Sequence, residues 1–252
     1  YTKLKSEKIF KNLVVILVEP QGTINVGSIA RLCANFSVSE LRIVSPKCDV
    51  FSLDTKKMAL KGFKYIVNCE IYKTLFDAIN DCDIVLASSG RRESTAELKQ
   101  DSIRNAIKWI EGFQKINKLA FVFGREDRGL TNKELLLSQK IFQIDTNNNY
   151  PSINLSHAVS IVLYEASKLS NSANLNKNLK YEIASPAQIE ICFSEIEKML
   201  KRVGYLLNHT SNAKMTKFRT FINRAKTSKH ELNVIRGIVH QINWALNNSK
   251  KN

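Results

Sequence analysis

Leu119-Ala120-Phe121-Val122-Phe123-Gly124-Arg125-Glu126-Asp127-Arg128-Gly129-Leu130 opens the stretch that decides the fold. Ile141-Phe142-Gln143-Ile144, a polar loop over 145–150, and Pro151-Ser152-Ile153-Asn154-Leu155-Ser156 complete it. The first run is short, β-rich, wholly apolar and stopped by a glycine, as a parallel strand buried on both faces is. Apolar residues at Leu155, Ala158, Val159, Val162 and Leu163 then recur at helical spacing, which predicts a helix reaching Lys168. Both apolar runs give way to glycine or small polar residues. Loops at the carboxyl ends of parallel strands are where open α/β sheets bind ligands.

Upstream, Leu13 to Val18 reads as a central strand, 19–24 as a loop, and about Asn25 to Phe36 as a helix. That helix carries Asn25-Val26-Gly27-Ser28-Ile29-Ala30-Arg31. Asn25 fits two compatible roles, helix N-cap and site residue. Gly22 and Gly27 imitate a phosphate loop, but Ser28 stands where the nucleotide triphosphate pattern needs lysine.

These three pieces, Asn25 to Arg31, Gly124-Arg125-Glu126 with Gly129-Leu130, and Pro151 to Leu155, resemble motifs one, two and three of the SpoU-type (SPOUT superfamily) RNA ribose 2′-O-methyltransferases. The resemblance covers about residues 10–168 and is nearest to the TrmJ-type tRNA enzymes. It implies S-adenosylmethionine as cofactor, methylation of a ribose 2′-hydroxyl at anticodon-loop position 32 on cytidine or uridine, a homodimer and a C-terminal trefoil knot. By position it assigns cofactor binding to Ser88, Ser89, Gly90, Gly124, Ile144, Pro151, Ser152 and Ile153. Catalytic roles fall on Arg31, Ser152, Asn25 and Glu126. Pro151 departs from the family, where many members have serine, and it removes one backbone N–H. A ribosomal RNA substrate, or a non-catalytic RNA-binding protein on the same fold, are the alternatives.

The residue chemistry bears on these assignments independently. The guanidinium of Arg31 stays protonated near neutral pH, so stabilising an alkoxide and gripping phosphate suit it better than acting as a base. Placed early on its helix, it also profits from the positive helix end; as an ordinary helix arginine it forms an ion pair. Ser152 either orients the ribose or caps the next helix. Glu126 is a polar anchor near the substrate or a surface carboxylate paired with Arg125 or Arg128. Gly124 leaves room for close backbone approach by ligand.

Elsewhere the chain alternates. Strands are expected at 41–44, 65–68 and 84–87, and helices at 51–62, 75–80 and 102–113, with Ile103, Ala106, Ile107 and Ile110 on one face. This predicts an α/β fold, a mostly parallel sheet covered by helices on both faces. Residues 1–168 form that domain, 169–180, rich in Asn and Ser, a linker, and 181–252 a small helical extension. In the extension a helix starts at Ser185-Pro186, and 203–207, 218–225 and 232–246 suggest further helical pieces.

The 252 residues are 44% hydrophobic and carry a formal net charge of +15. Residues 1–169 hold 24 Lys+Arg against 18 Asp+Glu, residues 170–252 hold 14 against 5, so the smaller part carries most of the excess. Between Lys198 and Lys229 there is no acidic residue. That run points to RNA phosphates, with Lys201, Arg202, Lys214, Lys217, Arg219 and Arg224 as candidate contacts. Its aromatics, Tyr205, Phe218 and Phe221, read as core. Five cysteines without a C-x-x-C pair, and four scattered histidines, indicate reduced thiols and no metal site. Ser156-His157 lacks the partners of a hydrolase triad. No membrane span or signal peptide is visible, so a cytoplasmic protein is expected, and the start at Tyr1 implies preceding residues.

Overall fold

A computed structural model describes residues 10–90, 98–113, 116–147, 149, 152–169, 182, 184–207, 209–225 and 227–248. The chain divides into two compact units, Tyr1–Lys180 and Tyr181–Asn252. All but the first residue of the expected linker lies outside the described residues.

The first unit is built on seven strands: β1 (Phe10–Val18), β2 (Glu40–Val44), β3 (Glu70–Tyr72), β4 (Ile84–Ser88), β5 (Gln100–Ser102), β6 (Ile116–Phe123) and β7 (Lys140–Gln143). Their spatial order is β3-β2-β1-β6-β4-β7-β5, and every neighbouring pair is parallel. The helices are α1 (Thr23–Asn35), α2 (Leu53–Ala59), α3 (Phe63–Val67), α4 (Leu75–Ile79), α5 (Ile103–Glu111), α6 (Asn132–Leu135) and α7 (Leu155–Ser167).

Strand alternation splits the core in two. Leu13, Val15 and Leu17 of β1 join Leu119, Phe121 and Phe123 of β6 under α1, α5 and α7. Val14, Ile16, Val18, Ala120 and Val122 face the other way, with Leu75, Ile79 and Leu135 of α4 and α6. Helices thus cover both faces, as expected, and strands buried on both faces must be apolar throughout. Phe142 meets Phe121 and Phe123 edge-on, at centroid distances of 6.0 and 6.3 Å, and each such buried ring contributes about 1.5–3 kcal/mol.

Several boundaries differ from the sequence reading. Residues 65–67, expected as a strand with Asn68, belong instead to α3, with Asn68 as its C-cap: Gly62 packs its backbone on Ala30, and Ile66 is buried in the core. The edge strand is β3, three half-exposed residues later. The expected helix over 51–62 is α2 followed by a 3-10 turn at Leu60–Gly62. β5 and α6 carry no periodic signal and went unpredicted.

Among the described residues the second unit is three helices, α8 (Pro186–Arg202), α9 (Ser211–Ala225) and α10 (Lys229–Asn248). Ser185 caps α8 in a capping box with Gln188, and Pro186 takes the first turn, where its missing N–H is harmless. Ile189, Phe193, Ile196, Met215, Ile222, Leu232 and Val239 form its core. Residues 203–207 are a turn, not a helix: Gly204 adopts φ 76° and ends α8. Among the described residues no helix is long and apolar enough to cross a membrane.

Candidate active site

Because β4 lies between β6 and β7, the loops leaving these three strands emerge side by side. With the start of α7 they enclose a cavity of about 410 Å³. Ser88, Ser89, Gly90, Gly124, Ile144, Ser152 and Ile153 line it, every described member of the expected cofactor set. Pro151 lies outside the described residues. Phe123, Leu130, Phe142 and Leu155 give the cavity apolar walls, and Arg125, Glu126, Asp127 and Arg128 add charged residues of both signs to its lining.

The 124–130 loop is shaped by its own backbone. A Cβ on Gly124 would stand 2.3 Å from the carbonyl carbon of Gly129, so the fold-back of the loop itself requires a glycine at this point of the cavity lining. The Gly129 N–H donates to the Arg125 carbonyl at 3.0 Å, and Gly129 sits at φ 67°. Arg125 is buried and clamps the loop: Nε donates to Glu19 Oε2 at 2.9 Å, and Nη1 and Nη2 to the two Glu134 oxygens at 2.9 and 3.0 Å. Its hydrogen bond holds the Glu19 carboxyl below the ordinary range against the opposing effect of burial. For Glu134, burial pushes upward but the Arg125 and Thr131 hydrogen bonds outweigh it, so the net shift is also down. Glu134 closes a capping box with Thr131 on α6.

The three sequence motifs meet beside this loop. Glu126 Oε2 accepts from the Gln21 N–H at 2.9 Å, while Oε1 accepts from the Gly22 N–H at 3.0 Å and from Asn25 Nδ2 at 3.1 Å. Asn25 Oδ1 in turn accepts from Asn154 Nδ2 at 3.0 Å. Asn154 Oδ1 accepts from the Ser156 and His157 N–H groups and so caps α7. One amide each from α1 and the α7 cap, and one carboxylate from the β6 loop, therefore form a single relay.

Three simpler roles fall away. Asn25 is not an N-cap, since α1 begins two residues earlier and its cap, Gly22, has no side chain to offer. Ser152 is exposed at the cavity and leaves the cap to Asn154. Glu126 pairs with neither Arg125 nor Arg128; Arg128 reaches Glu19 at 3.6 Å instead. Arg31 is the ninth residue of α1, not an early one, and the helix-end field fades within a turn. It is exposed, lies outside the cavity lining, and among the described residues makes no ion pair. Sequence reasoning overlooked Arg125, Glu19 and Glu134, although Thr131-Asn132-Lys133-Glu134 is a legible capping box.

Residues 12–164 match the family model of the SpoU rRNA Methylase family. The chain belongs to that family. Residues 187–251 of this SpoU methylase match a second model, the C-terminal domain of the tRNA methyltransferase TrmJ. A tRNA (cytidine-2′-O-)-methyltransferase TrmJ of Methanocaldococcus jannaschii is 34% identical over 218 residues, covering 86% of this chain and 94% of that protein. A Sulfolobus acidocaldarius protein of the same name is 43% identical over 154 residues, 60% of this chain and 63% of its own length. In fold, this SpoU methylase superposes on the crystal structure of TrmJ from Z. mobilis with a TM-score of 0.77 at 24% identity, covering 91% and 98% of the two chains.

Proposed function

We propose that this SpoU methylase transfers a methyl group from S-adenosylmethionine to a ribose 2′-hydroxyl of tRNA, at anticodon-loop position 32, on cytidine or uridine. The observation that carries the reading is the cavity at the strand ends, lined by the expected cofactor residues with the motif relay beside it. The cavity fits the cofactor. Its volume falls within the range of small-molecule sites, about 300–1,000 Å³, and Gly90 faces open space where a backbone can approach a ligand. Its apolar walls and small hydroxyls suit an adenosyl group, and the charged residues of its lining, Arg125, Glu126, Asp127 and Arg128, suit the charged ends of an amino acid.

When bound, S-adenosylmethionine supplies a methyl already activated as a sulfonium. Ser88, Ser89, Gly90, Gly124, Ile144, Pro151, Ser152 and Ile153 would hold it. The relay fixes Asn25 in one orientation, and Ser152 orients the target ribose with a hydroxyl that both donates and accepts. Arg31, exposed and without an ion pair among the described residues, grips the adjoining phosphate and stabilises the oxyanion that develops at the 2′-oxygen. Positioning of this kind supplies about 7–11 kcal/mol of barrier lowering, and the reaction proceeds without a metal.

A homodimer agrees with the exposed Ile24, Phe51, Leu53, Leu60, Ile161 and Tyr164 on or beside α1, α2 and α7. A knot agrees with β7 pairing between the earlier strands β4 and β5 before the chain enters α7. Exposed Lys201, Arg202, Lys214 and Lys217, with Arg224, serve RNA phosphates in the cytoplasm, Lys201 exchanging its exposed ion pair with Glu197 and Arg202 its exposed bonds to Asn243 and Asn247 for the RNA. The description of the matched family favours a second substrate, ribosomal RNA; the C-terminal match favours tRNA. Incubating purified protein and cofactor with each RNA and analysing the nucleosides by mass spectrometry decides between them. 2′-O-methylcytidine or 2′-O-methyluridine is expected in tRNA only.

A further inference from the structure

Tyr205 and Phe221, which the sequence reads as core, are 58% and 54% exposed. They flank a cleft of about 290 Å³ between the end of α8 and α9. Its floor is Leu200, Leu206, Met215 and Phe218, all buried or partly buried against the core of the unit. Lys214, Lys217, Phe218 and Phe221 are spaced three, four and seven residues apart from Lys214, so they share one face of α9. Tyr205 stands on the turn made by Gly204. Lys214 Nζ donates to the Tyr205 carbonyl at 2.9 Å and lies 4.2 Å from the centre of its ring. The inner wall is braced: Phe218 meets Phe193 edge-on at 5.9 Å, and Arg219 lies over Phe193 and pairs with Glu190. Arg219, expected as a phosphate contact, is therefore committed inside the unit instead.

We propose that this cleft takes an unstacked RNA base, stacked on Tyr205 or Phe221, with the flanking phosphate on Lys217 or Lys214. The proposal rests on the RNA-methyltransferase reading above and adds the site at which the extension engages RNA. Two π-faces and an apolar floor suit a base, and two lysines at the rim suit its phosphate. Lys214 and Lys217 at the rim, within a run from 198 to 229 that holds no acidic residue, give the cleft a positive edge, and the Glu197 nearby is neutralised by Lys201. The floor offers no side-chain group to read a base edge, so the contact tolerates any base.

The test uses the full chain and transcribed tRNA at several salt concentrations. Tyr205→Ala and Phe221→Ala are each expected to weaken binding about tenfold, with the slope of log K against log salt unchanged, and Tyr205→Phe to keep wild-type affinity. Lys217→Ala is expected to flatten the slope by roughly 0.7–0.9. S-adenosylmethionine binding, measured on the same samples, is expected to stay constant in all four. Ultraviolet cross-linking of wild-type protein to bromouridine-substituted tRNA is expected to mark Tyr205 or Phe221. Affinity within twofold of wild type in both alanine variants, with no cross-link at either residue, would overturn the proposal. So would a change in self-association with RNA binding intact, which would make the cleft a protein contact. Failure of the wild type to bind tRNA while it binds cofactor and methylates another RNA would overturn it as well, without touching the methyltransferase reading.

Discussion

Glu126 holds three donors with two oxygens, and this makes it the least replaceable member of the relay. In Glu126→Gln one oxygen becomes an amide that donates, so it faces an N–H it cannot accept from, and a lost partner in such a network costs about 1–3 kcal/mol. We predict more than a tenfold drop in kcat with a small change in Tm; unchanged kcat would remove Glu126 from the mechanism. Asn154→Ala should lose the α7 cap, about 1 kcal/mol of stability, and slacken Asn25, which a melting curve and an activity assay on one sample would separate. Arg31→Ala should lose more than tenfold in rate, over about 1.4 kcal/mol, while cofactor affinity holds. At this scale the sequence displayed the motif residues but not their bonds. Arg125 and Glu19 are 106 residues apart, and no local period encodes a contact made across two loops.

At the scale of elements, α1 depends on Gly27. A Cβ there would lie 2.5 Å from the Thr55 carbonyl oxygen and 2.7 Å from Met58 Cβ, so Gly27→Ala must push α1 off α2. Overpacking of this kind costs about 1–3 kcal/mol, and a Tm equal to wild type would contradict the packing described. The opposite end of the sheet predicts the acid limb of stability. Arg42, buried on β2, binds Asp81 and Glu40, and Lys118 on β6 binds both acids too. The Arg42 hydrogen bonds hold Asp81 well below the usual carboxylate range. Burial pushes Glu40 up, but Lys118 and Arg42 outweigh it. Carboxyls lowered by folding contribute stability that is complete above about pH 5 and lost as pH falls through their folded values. About half of the Asp81 side chain is exposed, so solvent limits the effect. The urea midpoint should therefore hold from pH 7 to 5 and fall below that, and Asp81→Asn should start lower and fall less. Parallel pH curves would exclude this cluster. Long strands apolar on both faces were legible because burial dictates their composition. β3 and β5, three residues each and half in solvent, have no such imprint.

Over the whole molecule, charge and motifs separate. Residues 1–169 carry the relay and cavity; residues 170–252 carry most of the positive excess. A 1–169 chain should bind S-adenosylmethionine with little loss, bind tRNA far more weakly, and show a flatter salt dependence, by roughly 0.9 in slope for each duplex phosphate contact removed. Equal loss of cofactor binding would mean that the extension completes the core instead. That the extension is helical and basic was legible from composition and spacing. That Tyr205 and Phe221 face solvent was not: an aromatic at helical spacing reads the same on either side of a helix, and Tyr205, read as helical, stands on the turn made by Gly204. Methyl transfer to tRNA is decided by incubating the full chain with tRNA and S-adenosylmethionine labelled in the methyl group, then locating the label by nucleoside mass spectrometry. Label is expected on a ribose 2′-oxygen in the anticodon loop and is expected to be absent with Arg31→Ala; label on a base, or none on RNA that binds the protein, would rule out ribose methylation at this site.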